Sequence, residues 1–244
     1  MKEDDRGIKP DWSVPEALYV FILTYGVGII LPLREMNWFQ SLSTLISPEK
    51  SVFGELFLSS IISALLMFGC VYFIVSWKYQ LQLRELGFVP DNPKKWLFKG
   101  SKHGILLFFG VSLLSIVLVL IYPFEVQPQT ATEIFSTARG WQQVILVFIV
   151  VSILAPFSEE LYFRGFLYPT LRKRWGKIPA IIITNIVFGI LHFDLLRFIP
   201  ITLGGIWLTV IYERSGTLYT SMVAHAVWNA LMIGLIFAGK FITA

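Results

Sequence analysis

Charged residues are scarce in this chain of 244 residues, at 15%, while hydrophobic residues make up 55%. Soluble domains carry about 25% charged residues, so a water-soluble globular protein is excluded at the outset. Disorder needs a polar, charged composition, and nucleic-acid binding needs a dense basic face. Both are excluded on the same ground. The net charge of +4 does not alter this, because where the cations sit matters more than their sum. Cysteine is nearly absent too. The single Cys70 lies in an apolar run and rules out an intrachain disulfide or a thiolate zinc cluster. No internal repeat, low-complexity tract or inverted-repeat symmetry of the transporter kind is visible.

The chain is rich instead in long uncharged runs, at 17–33, 56–77, 104–124, 140–158, 178–193, 198–212 and 215–239. About 18–20 apolar residues cross a bilayer core. The expected fold class is therefore all-α: a polytopic helical membrane protein with about seven transmembrane helices and a polar site buried between the C-terminal four. The sixth run is the shortest and is interrupted by Pro200 and the pair Gly204 and Gly205. The first suits a membrane anchor rather than a cleaved signal. The expected organisation is a cytoplasmic segment at 1–13, three spans within 14–139, four within 140–239, and a tail at 240–244.

Lys and Arg stay on the cytoplasmic side of a membrane. With the N-terminus inside, fourteen of the 20 Lys and Arg fall on inside segments and five outside, with Arg164 left in a span region. The expectation is an N-terminus in the cytoplasm and a C-terminus outside. The basic segment 78–102, which carries Trp96, is expected to pack on anionic lipid headgroups. Membrane lipids are thus expected partners, and nucleic acid is not.

Ionisable groups inside spans are costly and mark function by default. The fourth span ends with Glu159, Glu160 and Arg164 on what reads as one helix. Residues four apart share a helical face, while adjacent ones point about 100° apart. Glu160 can therefore pair with Arg164, and Glu159 must look elsewhere, free for chemistry. Phe188 and His192 are four apart in the fifth span, as are His225 and Asn229 in the seventh. At about 1.5 Å rise per residue, Glu159, His192 and His225 all fall in the middle zone of a core about 30 Å thick. Pro156 removes one helical hydrogen bond just before Glu159. Each histidine alone is equally compatible with a helix-to-helix hydrogen bond. Asp194 and Arg197 read as a solvated turn, and His103 as interfacial.

Glu159-Glu160-x-x-x-Arg164, Phe188-x-x-x-His192 and His225-x-x-x-Asn229 together resemble the three signatures of the CAAX protease and bacteriocin-processing family, also called Abi. These are intramembrane endopeptidases that include the Ras-converting CAAX endopeptidase of eukaryotes. The resemblance runs over about 144–234, with a weaker echo at 83–88. It implies that Glu159 activates water, that His192 and His225 hold the water or polarise the scissile carbonyl, and that Asn229 helps bind the oxyanion. Glu160 and Arg164 would be the supporting pair and Phe188 a packing residue. The implied substrate is a lipidated or membrane-bound peptide, either a prenylated CAAX type or a leader or signalling peptide. The favoured mechanism is a glutamate type needing no cofactor. Zinc held by Glu159, His192 and His225 is the alternative, although no His-Glu-x-x-His helix is present. Two other functions stay open on the residues: a non-catalytic scaffold or immunity protein, and a proton-coupled transporter, since buried Glu and His also serve as relays. The compact loops suggest a prokaryotic inner membrane.

Overall fold

A computed structural model of the chain describes residues 11–30, 32–49, 51–89, 92–121, 134, 135 and 137–243, without the side chains of 27–30, 195, 196 and 240–243. Residues 1–10, Lys50, Glu125 and the rest of 122–133, and Ala244 lie outside the described residues, and with them most of the expected N-terminal segment. Among the described residues there are helices and no strands. The main helices are α1 (Val14–Ile30), α2 (Asn37–Ile46), α3 (Ser51–Tyr72), α4 (Pro93–Ile121), α5 (Gly140–Trp175), α6 (Lys177–Ile190), α7 (Leu195–Ser215) and α8 (Leu218–Thr243).

Among the described residues, four stretches are long and apolar enough to cross a membrane: Ser51–Lys78, Pro93–Ile121, Gly140–Trp175 and Leu218–Gly239. They carry the second, third, fourth and seventh of the expected runs. The first and fifth runs lie on the shorter apolar helices α1 and α6. The sixth lies on α7, which continues through Pro200 for 21 residues. A helix that is apolar all round suits surroundings of lipid and other helices, and large apolar side chains such as Phe109, Leu113 and Leu120 are exposed along α4.

The third span departs from its expected start. It was expected at residue 104, but the helix begins at Pro93, so Lys94, Lys95, Lys99 and Lys102 ride on its opening turns instead of on a loop. Proline at a first helical position leaves no hydrogen bond unmade, and the Asn92 side chain accepts the Lys94 N–H at 3.0 Å. Trp96, expected against headgroups, stacks on Tyr219 with ring centroids 5.2 Å apart.

α4 then runs along α8 at very close approach. A Cβ added at Gly100 would stand 2.6 Å from Val223, and one at Gly104 would stand 2.6 Å from the Ala224 carbonyl. Small residues four apart let two membrane helices touch backbone to backbone. The expected N-terminal and C-terminal regions are thereby packed into each other.

One end of the bundle gathers several distant segments. Trp12 stacks on Phe166 and donates its indole N–H to the Phe166 carbonyl at 2.9 Å. Leu86 is fully buried against Gly165, and the Leu218 N–H donates to the Gly87 carbonyl at 2.8 Å. Glu213, buried, binds Arg172 at 2.6 Å and Lys177 at 2.9 Å. This clustering places 12, 83–89, 166–177 and 212–218 at a common end, the ones assigned from charge to a common side.

α5 is continuous from Gly140 to Trp175 but not regular. Its turns widen at Val150–Leu154 and again at Leu161–Leu167, on either side of the short α-helical piece Ala155–Glu160. Pro156 has no N–H to give to the preceding turn, which is one named cause of local rewinding. Wide turns of this kind are frequent at functional sites. Here they bracket Glu159 and Glu160.

Candidate active site

The two adjacent glutamates of α5 leave the helix about 100° apart, one into the Arg164 layer and the other into a cleft. Glu160 points into the protein and its side chain is 0% exposed, as is that of Arg164. Arg164 donates to Glu160 Oε1 at 2.8 Å one helical turn away. The same guanidinium donates to Asn185 Oδ1 on α6 at 3.2 Å and to the Gly205 carbonyl on α7 at 3.0 Å. It also lies over the Phe188 ring at 4.8 Å. A buried ion pair needs further hydrogen bonds to offset its desolvation. Through Nη1 and Nη2 Arg164 ties α5, α6 and α7 together, while its Nε–H has no hydrogen-bond partner among the described residues.

His225 of α8 completes this inner layer. Its Nδ1 stands 2.9 Å from Glu160 Oε1. An arginine-paired carboxylate can only accept, so Nδ1 carries the proton. In the neutral ring, Nε2 is then a bare acceptor, and it faces Glu159 Oε2 at 3.7 Å. The order Arg164, Glu160, His225, Glu159 forms a continuous line of charged and polar groups from the core to a cavity. A carboxylate that fixes the tautomer and direction of an imidazole is the arrangement found behind catalytic histidines.

Glu159 is 23% exposed at its side chain and lines a cleft of about 200 Å³ whose far wall is Tyr25 of α1 and Leu56, Ser59, Ser60 and Ser63 of α3. The site is expected between the C-terminal four helices, and the Glu160–Arg164 layer on α5 touches α6, α7 and α8. The cleft itself opens toward the N-terminal helices. Their contribution had no motif to announce it, although Ser59, Ser60 and Ser63 place hydroxyls on successive turns of an apolar span.

His192 does not lie within the fifth helix as expected. α6 ends at Ile190, and His192 sits in the turn before α7. Its Nδ1 is 2.8 Å from the Phe188 carbonyl, which can only accept, so Nδ1 again carries the proton and Nε2 is free. Phe188 stands between the two imidazoles, edge-on to both, with centroids 4.9 Å from His192 and 6.0 Å from His225. Asn229 donates from Nδ2 to the Val151 carbonyl of the first wide turn at 2.9 Å. Asp194, expected in a solvated turn, caps α7 by accepting the Arg197 N–H at 2.9 Å.

Asn185 and the glycine pair are the members of the site that the motifs do not name. Asn185 donates to the Ile181 carbonyl at 2.7 Å and to Thr209 Oγ1 at 2.9 Å while accepting from Arg164. It precedes Phe188 by three residues and His192 by seven, the spacing of one helical face, which was the available signal. A Cβ at Gly205 would stand 2.6 Å from Asn185 Oδ1, and one at Gly204 would stand 2.6 Å from the Trp228 ring. The interruption seen in the sixth run is thus a close-packing device.

The zinc alternative needs three ligating groups brought to one point. Among the described residues no three His, Cys, Asp or Glu side chains gather in that way. Glu159, His192 and His225 do not form such a set here.

Residues 141–231 match the family described as type II CAAX prenyl endopeptidase Rce1-like. The resemblance carried by the three motifs is borne out by this match, which contains all of them. Among curated proteins, "Putative membrane peptidase YdiL" of Bacillus subtilis (strain 168) is 30% identical over 92 residues, covering 38% of each chain. "CAAX prenyl protease 2" of Homo sapiens is 35% identical over 91 residues, 35% of this chain and 28% of that protein. An "Uncharacterized 24.3 kDa protein" of Escherichia coli is 29% identical over 177 residues, 70% of this chain and 76% of that one. The Rce1-like likeness thus spans well under half the length of the two relatives named as peptidase or protease. No solved structure matches.

Proposed function

We propose that the protein is an intramembrane endopeptidase that hydrolyses a peptide bond in a membrane-associated substrate, with Glu159 as the general base. The observation that carries this reading is the unequal fate of the two glutamates. Glu160 is fully buried and neutralised by Arg164, while Glu159 lines an open cleft with His225 Nε2 at 3.7 Å.

The reaction follows from what each group can still donate or accept. A water in the cleft gives one proton to Glu159, and its oxygen forms the new bond to the scissile carbonyl carbon. The water's remaining O–H is oriented by one imidazole Nε2, that of His225 or of His192, both acceptors in the neutral rings. Neither neutral ring can donate to the oxyanion. Asn229 has two N–H groups and spends one on Val151, so the second is the donor left for the developing negative charge. Glu159 then returns its proton to the leaving amine as the C–N bond breaks. General acid–base help of this kind is worth about 10²–10⁴ in rate.

Seven spans, with the N-terminus in the cytoplasm, the C-terminus outside and a prokaryotic inner membrane as the location, accompany this proposal. The grouping of 166–177 and 212–218 at one end favours that layout. The substrate class is a lipidated CAAX-type or leader peptide, and the mechanism is metal-free. The test uses purified protein in liposomes with membrane-anchored reporter peptides. Cleavage that persists after exhaustive chelation, and falls about 10²–10⁴-fold in Glu159→Gln, is expected. Full activity in Glu159→Gln refutes the role of that residue. Loss on chelation with rescue by zinc refutes the metal-free mechanism.

A further inference from the structure

A second cleft, of about 790 Å³, lies between the opening turns of α4 and the outer face of α7. Lys99, Lys102 and His103 line it from α4, and Arg214, Trp207 and Leu203 line it from α7. It shares no residue with the Glu159 cleft. Leu203, Trp207, Val210 and Arg214 follow helical spacing along one stripe of α7, whereas Gly204 and Gly205 turn the other way, onto Trp228, Asn185 and Arg164. α7 therefore separates this cleft from the proposed active site. A peptide bound here would have its scissile bond on the wrong side of the helix.

Among the described residues the charges in the cleft are uncompensated. No carboxylate lines it, and no ion pair within the described residues involves Lys99, Lys102 or Arg214. The nearest acid in sequence, Glu213, is buried on the other side of α7 and is already held by Arg172 and Lys177. Three like charges converging on one cleft repel each other unless an anion joins them. The Trp207 indole donates to His103 Nδ1 at 3.3 Å. Indole nitrogen can only donate, so the proton of the neutral His103 ring sits on Nε2, leaving that N–H as a donor. Below the cations the walls become apolar. From Arg214 to Leu203 the helix descends roughly 16 Å, with Leu203 48% and Trp207 40% exposed.

We infer that this cleft binds one anionic glycerophospholipid. Its phosphate sits among Lys99, Lys102 and Arg214, and an acyl chain lies along Leu203 and Trp207. Basic pockets between helices at a cytoplasmic face take anionic headgroups, and the apolar stripe beneath is what a free phosphate would not need. The bound lipid braces the outer face of α7, whose inner face carries the Gly205 carbonyl that holds Arg164. The inference does not depend on the proteolytic reading.

Native mass spectrometry of the whole protein, extracted from vesicles of equal phosphatidylcholine and phosphatidylglycerol, tests it. One phosphatidylglycerol retained per protein, at least about tenfold over phosphatidylcholine and undisplaced by excess inorganic phosphate, is expected from about fivefold per cation. The triple variant Lys99→Gln, Lys102→Gln, Arg214→Gln is expected to show no preference. Should that variant not fold, Lys102→Gln alone is expected to lower the preference about fivefold. Equal retention of both lipids by the wild type, displacement by inorganic phosphate, or full preference in the folded variants overturns the inference.

Discussion

Replacing Glu160 with Gln keeps the shape of the side chain and removes its charge. Two donors share its Oε1, Arg164 at 2.8 Å and His225 Nδ1 at 2.9 Å, and the guanidinium can only donate. The Gln carbonyl oxygen must therefore take that position, with the amide nitrogen turned away. The tautomer of His225 survives, but its hydrogen bond changes from a charged to a neutral acceptor, a loss of about 1–1.5 kcal/mol. Felt in the transition state, that is roughly a five- to fifteen-fold fall in kcat/KM. Stability suffers more. Stripping one partner from a buried pair costs about 3–5 kcal/mol, and Arg164 retains Asn185, the Gly205 carbonyl and the Phe188 ring, so the lower end of that range is expected. The assay is turnover of a membrane-anchored peptide per folded protein, beside thermal unfolding in the same detergent. A folded Glu160→Gln protein as inactive as Glu159→Gln would refute the division of labour between the two glutamates. Unchanged unfolding would refute the buried pair as a structural clamp.

Other consequences are open to the same measurements. Gly205→Ala forces a methyl group to within 2.6 Å of Asn185 Oδ1, so unfolding should shift down by about 1–3 kcal/mol, with reduced turnover because Arg164 and Phe188 must move. Asn229→Ala should lose turnover with a stability loss of only about 0.5–1.5 kcal/mol, since the Val151 carbonyl it leaves is one hydrogen bond; unchanged turnover would remove it as the oxyanion donor. Glu213→Gln, at the bundle end and remote from the site, should destabilise the fold by weakening its hold on Arg172 and Lys177 while leaving turnover per folded molecule intact. A changed turnover there would show that the end of the bundle and the site are coupled.

The helices and the inner layer were legible because the physics behind them is local. An uncharged run needs no partner to be recognised, and a 100° step between Glu159 and Glu160 assigns one to Arg164 before any packing is known. Helix starts were less legible, because hydropathy ends where charge begins and a helix does not. Asn92-Pro93 was the local signal for α4, and it is a capping signal rather than a hydropathy signal. The wide turns around Pro156, the place of His192 beyond the end of α6, and the serine wall of the cleft depend on which helices neighbour which. Gly204 and Gly205 weakened the sixth run as a sequence and strengthened it as a structure, since what matters there is Trp228 and Asn185 on other helices.

The central claim, that Glu159 is the free carboxylate performing hydrolysis, is tested most directly by comparing membrane peptidomes of cells carrying the wild-type protein and cells carrying Glu159→Gln at equal abundance. The account predicts peptides with a new terminus that are present with the wild type and missing with the variant. Identical peptidomes would contradict it.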